Sequence, residues 1–265
     1  MIRSFQYSNQ GFEKNWGDII ASPIIASFLK IKGLNKDLIT VHQNYNQIEQ
    51  KLVSIGSVSQ FIKENDVVWG TGCITQNAIF NKPHKILAVR GPLTRNEFKL
   101  KGIECPDIYG DPALLFPLIW NKTKEKTHKV GIIPHYVDID NPIIRQLEEK
   151  GFKIIDICSG ITEFLEDLLS VEMVLSSSLH GLIAADAYGI PNSRIIFSDK
   201  VYGGHFKFID YCLSVDRKID YGYVVENSNI DFNKLTINDK ISFNSSRILE
   251  VSPWNNEKIM KYLDV

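Results

Sequence analysis

The sequence predicts an α/β protein made of two Rossmann-like units facing a cleft. Short β-branched runs alternate with amphipathic segments, and each segment ends at glycine or proline. Midway, a polar, lysine-rich stretch interrupts the pattern, which then restarts. The 265 residues suffice for one large core or two modest ones. A single barrel would require eight regular repeats, more parallel strands than the sequence offers.

The elements follow in order. After a short opening strand, Asn15-Trp16-Gly17-Asp18 makes a polar turn, and a helical pattern runs from Ile19 to Ile31, ending near Gly33. Asp18 is placed to cap that helix, and Pro23 fits only near its beginning. Leu52 to Ser54 and Asp66 to Trp69 read as strands, the second running into Gly70-Thr71-Gly72. Lys85 to Val89 is another strand, followed by Arg90-Gly91-Pro92. Pro92 suits the first helical position, and Gly102 stops that helix after Lys101. Tyr109 to Ala113 is a turn, with an apolar stretch continuing to Trp120.

Asn121 to His128 is the expected linker. Beyond it, strands are expected at Val130–Ile133, Lys153–Ile157, Met173–Leu175 and Ile195–Phe197. Helices are expected at Pro142–Lys150, Glu163–Leu169 and Leu182–Tyr188. The division is therefore 1–120 for the first unit and 128–235 for the second. Residues 236–265 form a tail expected to pack back on the first unit, with 250–265 completing it.

Composition narrows the function. With 44% hydrophobic residues, the chain is globular rather than disordered. A net charge of -1 gives no nucleic-acid footprint. Cys73, Cys105, Cys158 and Cys212 are widely spaced with no CxxC pair, so neither a disulfide framework nor a zinc knuckle is expected. Free thiols in a reducing compartment are the simplest reading. The start has no apolar run of signal-peptide length and no later stretch approaches a membrane span. A cytoplasmic location follows, and work at a membrane would be that of a peripheral visitor on its inner face.

In open α/β sheets ligands bind beyond the carboxyl ends of the strands, where this sequence concentrates its polar and glycine-rich punctuation. Gly70-Thr71-Gly72 is either an anion-contacting turn or a plain tight turn, and it lacks the full GxGxxG pattern. Arg90 precedes a helix mouth, where a cation is disfavoured by the dipole unless an anion sits beside it. That anion is a ligand or a salt-bridge partner in a neighbouring domain. Arg95, in the first turn, has the same two readings. Asp18 orients a substrate or caps its helix, and Asp111 before Pro112 is similarly two-sided.

His180 follows Ser176-Ser177-Ser178 at a strand end and opens a helix. Hydroxyls and amides of Ser177 and Ser178 suit an anion, and imidazole exchanges protons near neutrality. The alternative is a histidine hydrogen-bonding between helices. His135, after Pro134, occupies the analogous mouth of the same unit. The histidines lack ligand spacing as a cluster, so no metal is expected, and the absence of a GxSxG elbow argues against a serine hydrolase. Tyr7, Trp16, Tyr136 and Tyr202 suit either sugar stacking or core packing.

Five segments appear in a recognisable order: Asn15-Trp16-Gly17-Asp18, Ala88-Val89-Arg90-Gly91-Pro92 with Thr94-Arg95, Gly110-Asp111-Pro112-Ala113, Ile133-Pro134-His135-Tyr136, and Ser177-Ser178-Leu179-His180-Gly181 with Gly189-Ile190-Pro191. Over about residues 15 to 200 the chain resembles the polysaccharide pyruvyl transferases. The resemblance implies an architecture similar to the GT-B glycosyltransferases, with the active site in the cleft. It implies phosphoenolpyruvate as donor, no further cofactor, and a pyruvate ketal built on a sugar in bacterial capsular or exopolysaccharide biosynthesis. The acceptor is either lipid-linked or polymeric.

The family arginine falls on Arg90, the family histidine on His180 and the opening aspartate on Asp18. These three are the expected catalytic residues. Arg90 and Arg95 would clamp the donor anion with Gly70, Thr71, Gly72, Ser177, Ser178 and His135, while Trp16 and Tyr136 would meet the acceptor. Gly70-Thr71-Gly72-Cys73 is shorter than the glycine run of many relatives. Closure of the two units over the donor is expected to bring Arg90 and His180 together. Two rivals remain at this stage: a glycosyltransferase using a nucleotide sugar, and a non-catalytic glycan-binding protein.

Overall fold

The structure is a computed structural model describing residues 1–8, 11, 13–44 and 49–264. Two five-stranded parallel sheets carry it. The first contains β1 (Ile2–Phe5), β2 (Leu38–Val41), β3 (Leu52–Val53), β4 (Val67–Trp69) and β5 (Lys85–Ala88), in the order β2-β1-β3-β4-β5. The second contains β6 (His128–Ile133), β7 (Lys153–Ile154), β8 (Val171–Ser176), β9 (Asn192–Ile196) and β10 (Tyr223–Val224), in the order β10-β9-β8-β6-β7. Ile133 lies opposite Ser176, so β6 and β8 end level and the residues after them emerge side by side.

The helices α1 (Trp16–Ile19), α2 (Ala21–Ile31) and α3 (Pro92–Leu100) accompany the first sheet in sequence. The second is interleaved with α4 (Pro142–Glu149), α5 (Ile161–Leu169), α6 (Leu179–Ala187) and α7 (Phe206–Ser214). Then come α8 (Ser245–Glu250) and α9 (Glu257–Leu263). Among the described residues, no helix is long and apolar enough to cross a membrane.

Strand periodicity builds the core. Along β4, Val67 and Trp69 join the central apolar cluster while Val68 joins an outer one with Phe5, Val89 and Phe98. Ile133 and Ile132 of β6 divide in the same way. Both faces of each sheet are thus covered, as parallel sheets require. The central cluster is continuous between the sheets, with Trp16, Phe116 and Phe164 at the joint. The Trp16 ring centroid lies 5.6 Å from Phe116 and 5.3 Å from Phe164.

Several local expectations need correcting. The cap of α1 is Asn15, whose side chain accepts the Gly17 amide at 3.1 Å, and Asp18 sits inside the turn. The sequence pattern does not predict β2, β10, α7 or α8. β2 and β10 are short strands at sheet edges, so they lack a buried face to impose a pattern. Residues 245–263 pack against the first sheet and α2. Trp254 stacks on Phe28 at 5.3 Å and meets Trp69 edge-on, and the Trp69 indole donates to Ile248 O at 3.0 Å.

Candidate active site

A cleft of about 410 Å³ opens between the two halves of the chain. From the first half come Tyr7, Asn15 and Asp18, with Ser57 and Val58 beyond β3. From the second come His135 and Tyr136 after β6, Ser178, Leu179 and His180 at the start of α6, Tyr202, and Lys207 at the start of α7. Of the expected site residues, the cleft therefore gathers Asp18, His135, Tyr136, Ser178 and His180.

Asp18 reaches this position because Asn15 starts α1 just before it and Trp16 anchors the turn in the core. Gly17 is required by close approach, since a Cβ there would collide with the His180 imidazole. Burial raises the Asp18 carboxyl to about 6, against the opposing pull of His180 and Lys207. Near neutrality it can therefore both give and take a proton.

Lys207 is 7% exposed, and no salt-bridge or hydrogen-bond partner for its ammonium occurs among the described residues. Burial lowers it to about 8, helped by the cations Arg90 and Arg194 and opposed by Asp18. His135 is lowered to about 3 by burial, then by Lys207 and His180, so it is neutral at physiological pH. Its Nδ1 accepts the Val137 amide at 3.3 Å, which assigns the proton to Nε2. The α6 N-terminus has no side-chain cap, and its first residues line the cleft. Among the described residues, no group of three or more His, Cys, Asp or Glu could hold a metal.

The arginine-bearing segment behaves differently from the expectation. Arg90 is fully buried and absent from the cleft wall. Its guanidinium donates to Asp210 Oδ2 at 3.0 Å, Cys73 O at 2.7 Å and Ser57 Oγ at 2.5 Å. Asp210 of α7 also accepts from Thr94 N at 2.9 Å and Thr94 Oγ1 at 2.7 Å. A Cβ on Gly91 would strike Asp210. The whole Arg90-Gly91-Pro92-Leu93-Thr94 segment is thus a receptor for a carboxylate from the other half. The anion at this helix mouth is the Asp210 side chain, which engages the guanidinium that was expected to hold the donor.

The other expected site residues outside the cleft wall also have protein partners or are buried in the core. Arg95 donates to Cys105 O at 3.0 Å, away from the cleft. The Gly70 and Gly72 amides bond Ala88 O and Gly56 O, and Thr71 Oγ1 donates to Gly56 O at 2.8 Å, leaving the turn committed internally. Gly72 packs flat against the Arg90 guanidinium. The Ser177 hydroxyl accepts from His135 N at 2.8 Å and donates to Asp138, so it knits two strand ends together. Trp16 is fully buried and has no face for a sugar.

Sequence reasoning missed Lys207 and Asp210, both on α7. A lysine and an aspartate set within the apolar run Phe206-Lys207-Phe208-Ile209-Asp210-Tyr211 were the available signal. Charged residues are rarely buried without a partner or a task.

A model of the polysaccharide pyruvyl transferase family matches residues 15–195. Over 176 residues the chain is 32% identical to an uncharacterized protein of Acanthamoeba polyphaga mimivirus, covering 63% of this chain and 60% of that protein. The match thus spans less than two thirds of that relative's length. No solved structure matches the chain. The family match begins at the Asn15 that caps α1 and takes in Asp18, His135 and His180 of the cleft, so this chain belongs to the polysaccharide pyruvyl transferase family.

Proposed function

We propose that this protein transfers the pyruvyl group of phosphoenolpyruvate to a sugar, closing a pyruvate ketal across two hydroxyls during capsular or extracellular polysaccharide assembly. One observation carries the reading. A buried, unpaired cation, Lys207, faces the same cleft as a carboxyl poised to exchange protons, Asp18, and an imidazole, His180. Such a cation is costly unless an anion joins it. The uncapped α6 N-terminus adds amides and a favourable dipole to the same anion site.

The reaction needs these groups. His180 gives a proton to the donor's methylene carbon, which becomes methyl, and a sugar hydroxyl adds to the neighbouring carbon. Asp18 takes the proton of that hydroxyl. The carbon–oxygen bond to phosphate breaks, and the second hydroxyl adds to the same carbon and closes the ring. Two hydroxyl protons leave the sugar: the first passes through Asp18 back to His180, replacing the proton given to the methyl group, and the second leaves on the phosphate. Lys207 holds the donor's anionic end, and neutral His135 donates a hydrogen bond from Nε2. Each placed proton transfer is worth roughly 10²- to 10⁴-fold. Ser178 and Tyr136 flank the donor and acceptor.

On this reading the sheets form a GT-B-like pair, with residues 1–120 and 128–235 as its domains and 236–265 packed on the first. The work is cytoplasmic, and a lipid-linked acceptor would draw the protein to the membrane's inner face. Phosphoenolpyruvate is expected to raise the unfolding temperature where nucleotide sugars do not. Phosphate release should require both donor and acceptor, with a mass gain on the sugar matching a ketal. Protection by a nucleotide sugar alone, or sugar binding with no donor consumed, would sink the reading.

A further inference from the structure

Behind His180, on the side away from the cleft, lies a carboxylate that the proposed chemistry does not use. Asp111 is fully buried in the turn after Gly110 and opens the 3₁₀ segment Pro112–Leu118. Its Oδ1 accepts the Ala113 amide at 3.0 Å and so caps that segment. Its Oδ2 is buried with no hydrogen-bond partner. Across 3.7 Å stands His180 Nε2, also buried and also unpartnered. Two orphaned polar atoms facing one another in a dry interior are each costly alone and satisfied together by a small ring rotation.

We infer that Asp111 is a positioning residue for His180: its Oδ2 takes the Nε2–H and fixes the tautomer of the neutral ring. The proton gained on forming the imidazolium, the one given to the donor, then sits on Nδ1 toward the cleft. The surroundings agree with this division of the ring. Nδ1 lies on the Gly17 side, where only a glycine leaves it room, and Asp18 follows next in the chain. The two partners come from opposite halves of the chain, since Asp111 follows the first sheet and precedes β6, while His180 lies in α6 of the second. Assembly of the halves would thus complete the dyad, tying the state of the imidazole to the joint itself. A carboxylate behind a histidine holds tautomer and orientation and stabilises the imidazolium when it forms, without itself accepting the proton.

This inference takes the proton-transfer role of His180 from the proposed function, but its test does not depend on the donor. Nitrogen NMR of histidine-labelled protein without substrate reads the tautomer, with the His180 signals assigned as those missing in His180→Gln. The wild type is expected to show the Nε2–H form. Asp111→Asn keeps an oxygen for the Ala113 amide and turns an NH₂ group toward Nε2, so His180 is expected to switch to the Nδ1–H form. Turnover with phosphoenolpyruvate and acceptor should then fall roughly 10²- to 10⁴-fold with donor KM little changed. An Nδ1–H form in the wild type, or the same tautomer in Asp111→Asn as in wild type, would overturn the inference. If Asp111→Asn does not fold, the wild-type spectrum alone still decides. If the tautomers behave as expected and no donor is consumed, the proposed reaction fails while the dyad stands.

Discussion

Asp18 and Lys207 are held in ionisation states their surroundings disfavour, which is where function is paid for in stability. The Asp18 carboxyl, raised from 3.8 to about 6, favours the fold fully below its unfolded value and loses that contribution as pH climbs through 6. At neutral pH its charge is therefore a burden. Asp18→Asn should stabilise the fold at pH 7 by up to about 3 kcal/mol, the equivalent of a two-unit shift, while turnover falls at least about 10²-fold. Urea denaturation and donor-consumption assays on one preparation would check both halves, and a destabilised variant would contradict the assignment. The same two groups shape the pH profile. Asp18 must be ionised to take the hydroxyl proton and Lys207 protonated to hold the donor. So kcat/KM is expected to fall below about 6 and again above about 8. In Lys207→Met donor KM should rise and lose its dependence on pH near 8; an unchanged donor KM in this variant would remove Lys207 from the donor site.

At the scale of elements, α3 and α7 show how far a sequence argument reaches and where it stops. That an anion must sit at the Arg90 helix mouth follows from the dipole and the guanidinium together, and an anion is there. Which anion is a long-range fact: Asp210 lies 120 residues further along the chain, in a helix whose start is blurred by Gly203-Gly204. His135 and His180 were legible because each lies just beyond a strand end, where open α/β sheets place their clefts, whereas the role of Asp18 came from the resemblance of its segment. Lys207 was not, because its burial depends on packing that no local pattern announces. The Arg90–Asp210 pair should act on stability rather than on donor binding. Arg90→Ala leaves the buried Asp210 carboxylate with its two Thr94 donors but without its cation, at a cost of roughly 3–5 kcal/mol. The protein that remains folded at low temperature is expected to keep a near-normal donor KM. Normal stability with lost donor affinity would return Arg90 to the ligand.

For the molecule as a whole, the joint between the halves resembles a core more than a hinge. The central apolar cluster runs without a break from Val67 and Trp69 in the first sheet, through Trp16, Phe116 and Phe164, to Val171 and Val174 in the second. Relative motion of domains is the default only where their interface is small and polar. Here opening would expose those rings, break the fully buried Arg90–Asp210 pair and strip the Trp16 amide from Ile157 O, which it meets at 2.8 Å. The cleft should therefore exchange donor through movement of its rim, and the two sheets should unfold together. Calorimetry is expected to show one transition whose calorimetric and van't Hoff enthalpies agree. Phe164→Ala, at the joint, should shift that transition downward as a unit, at a cost of about 3–5 kcal/mol. If it instead splits the transition in two, each half is stable alone and the joint is a hinge after all.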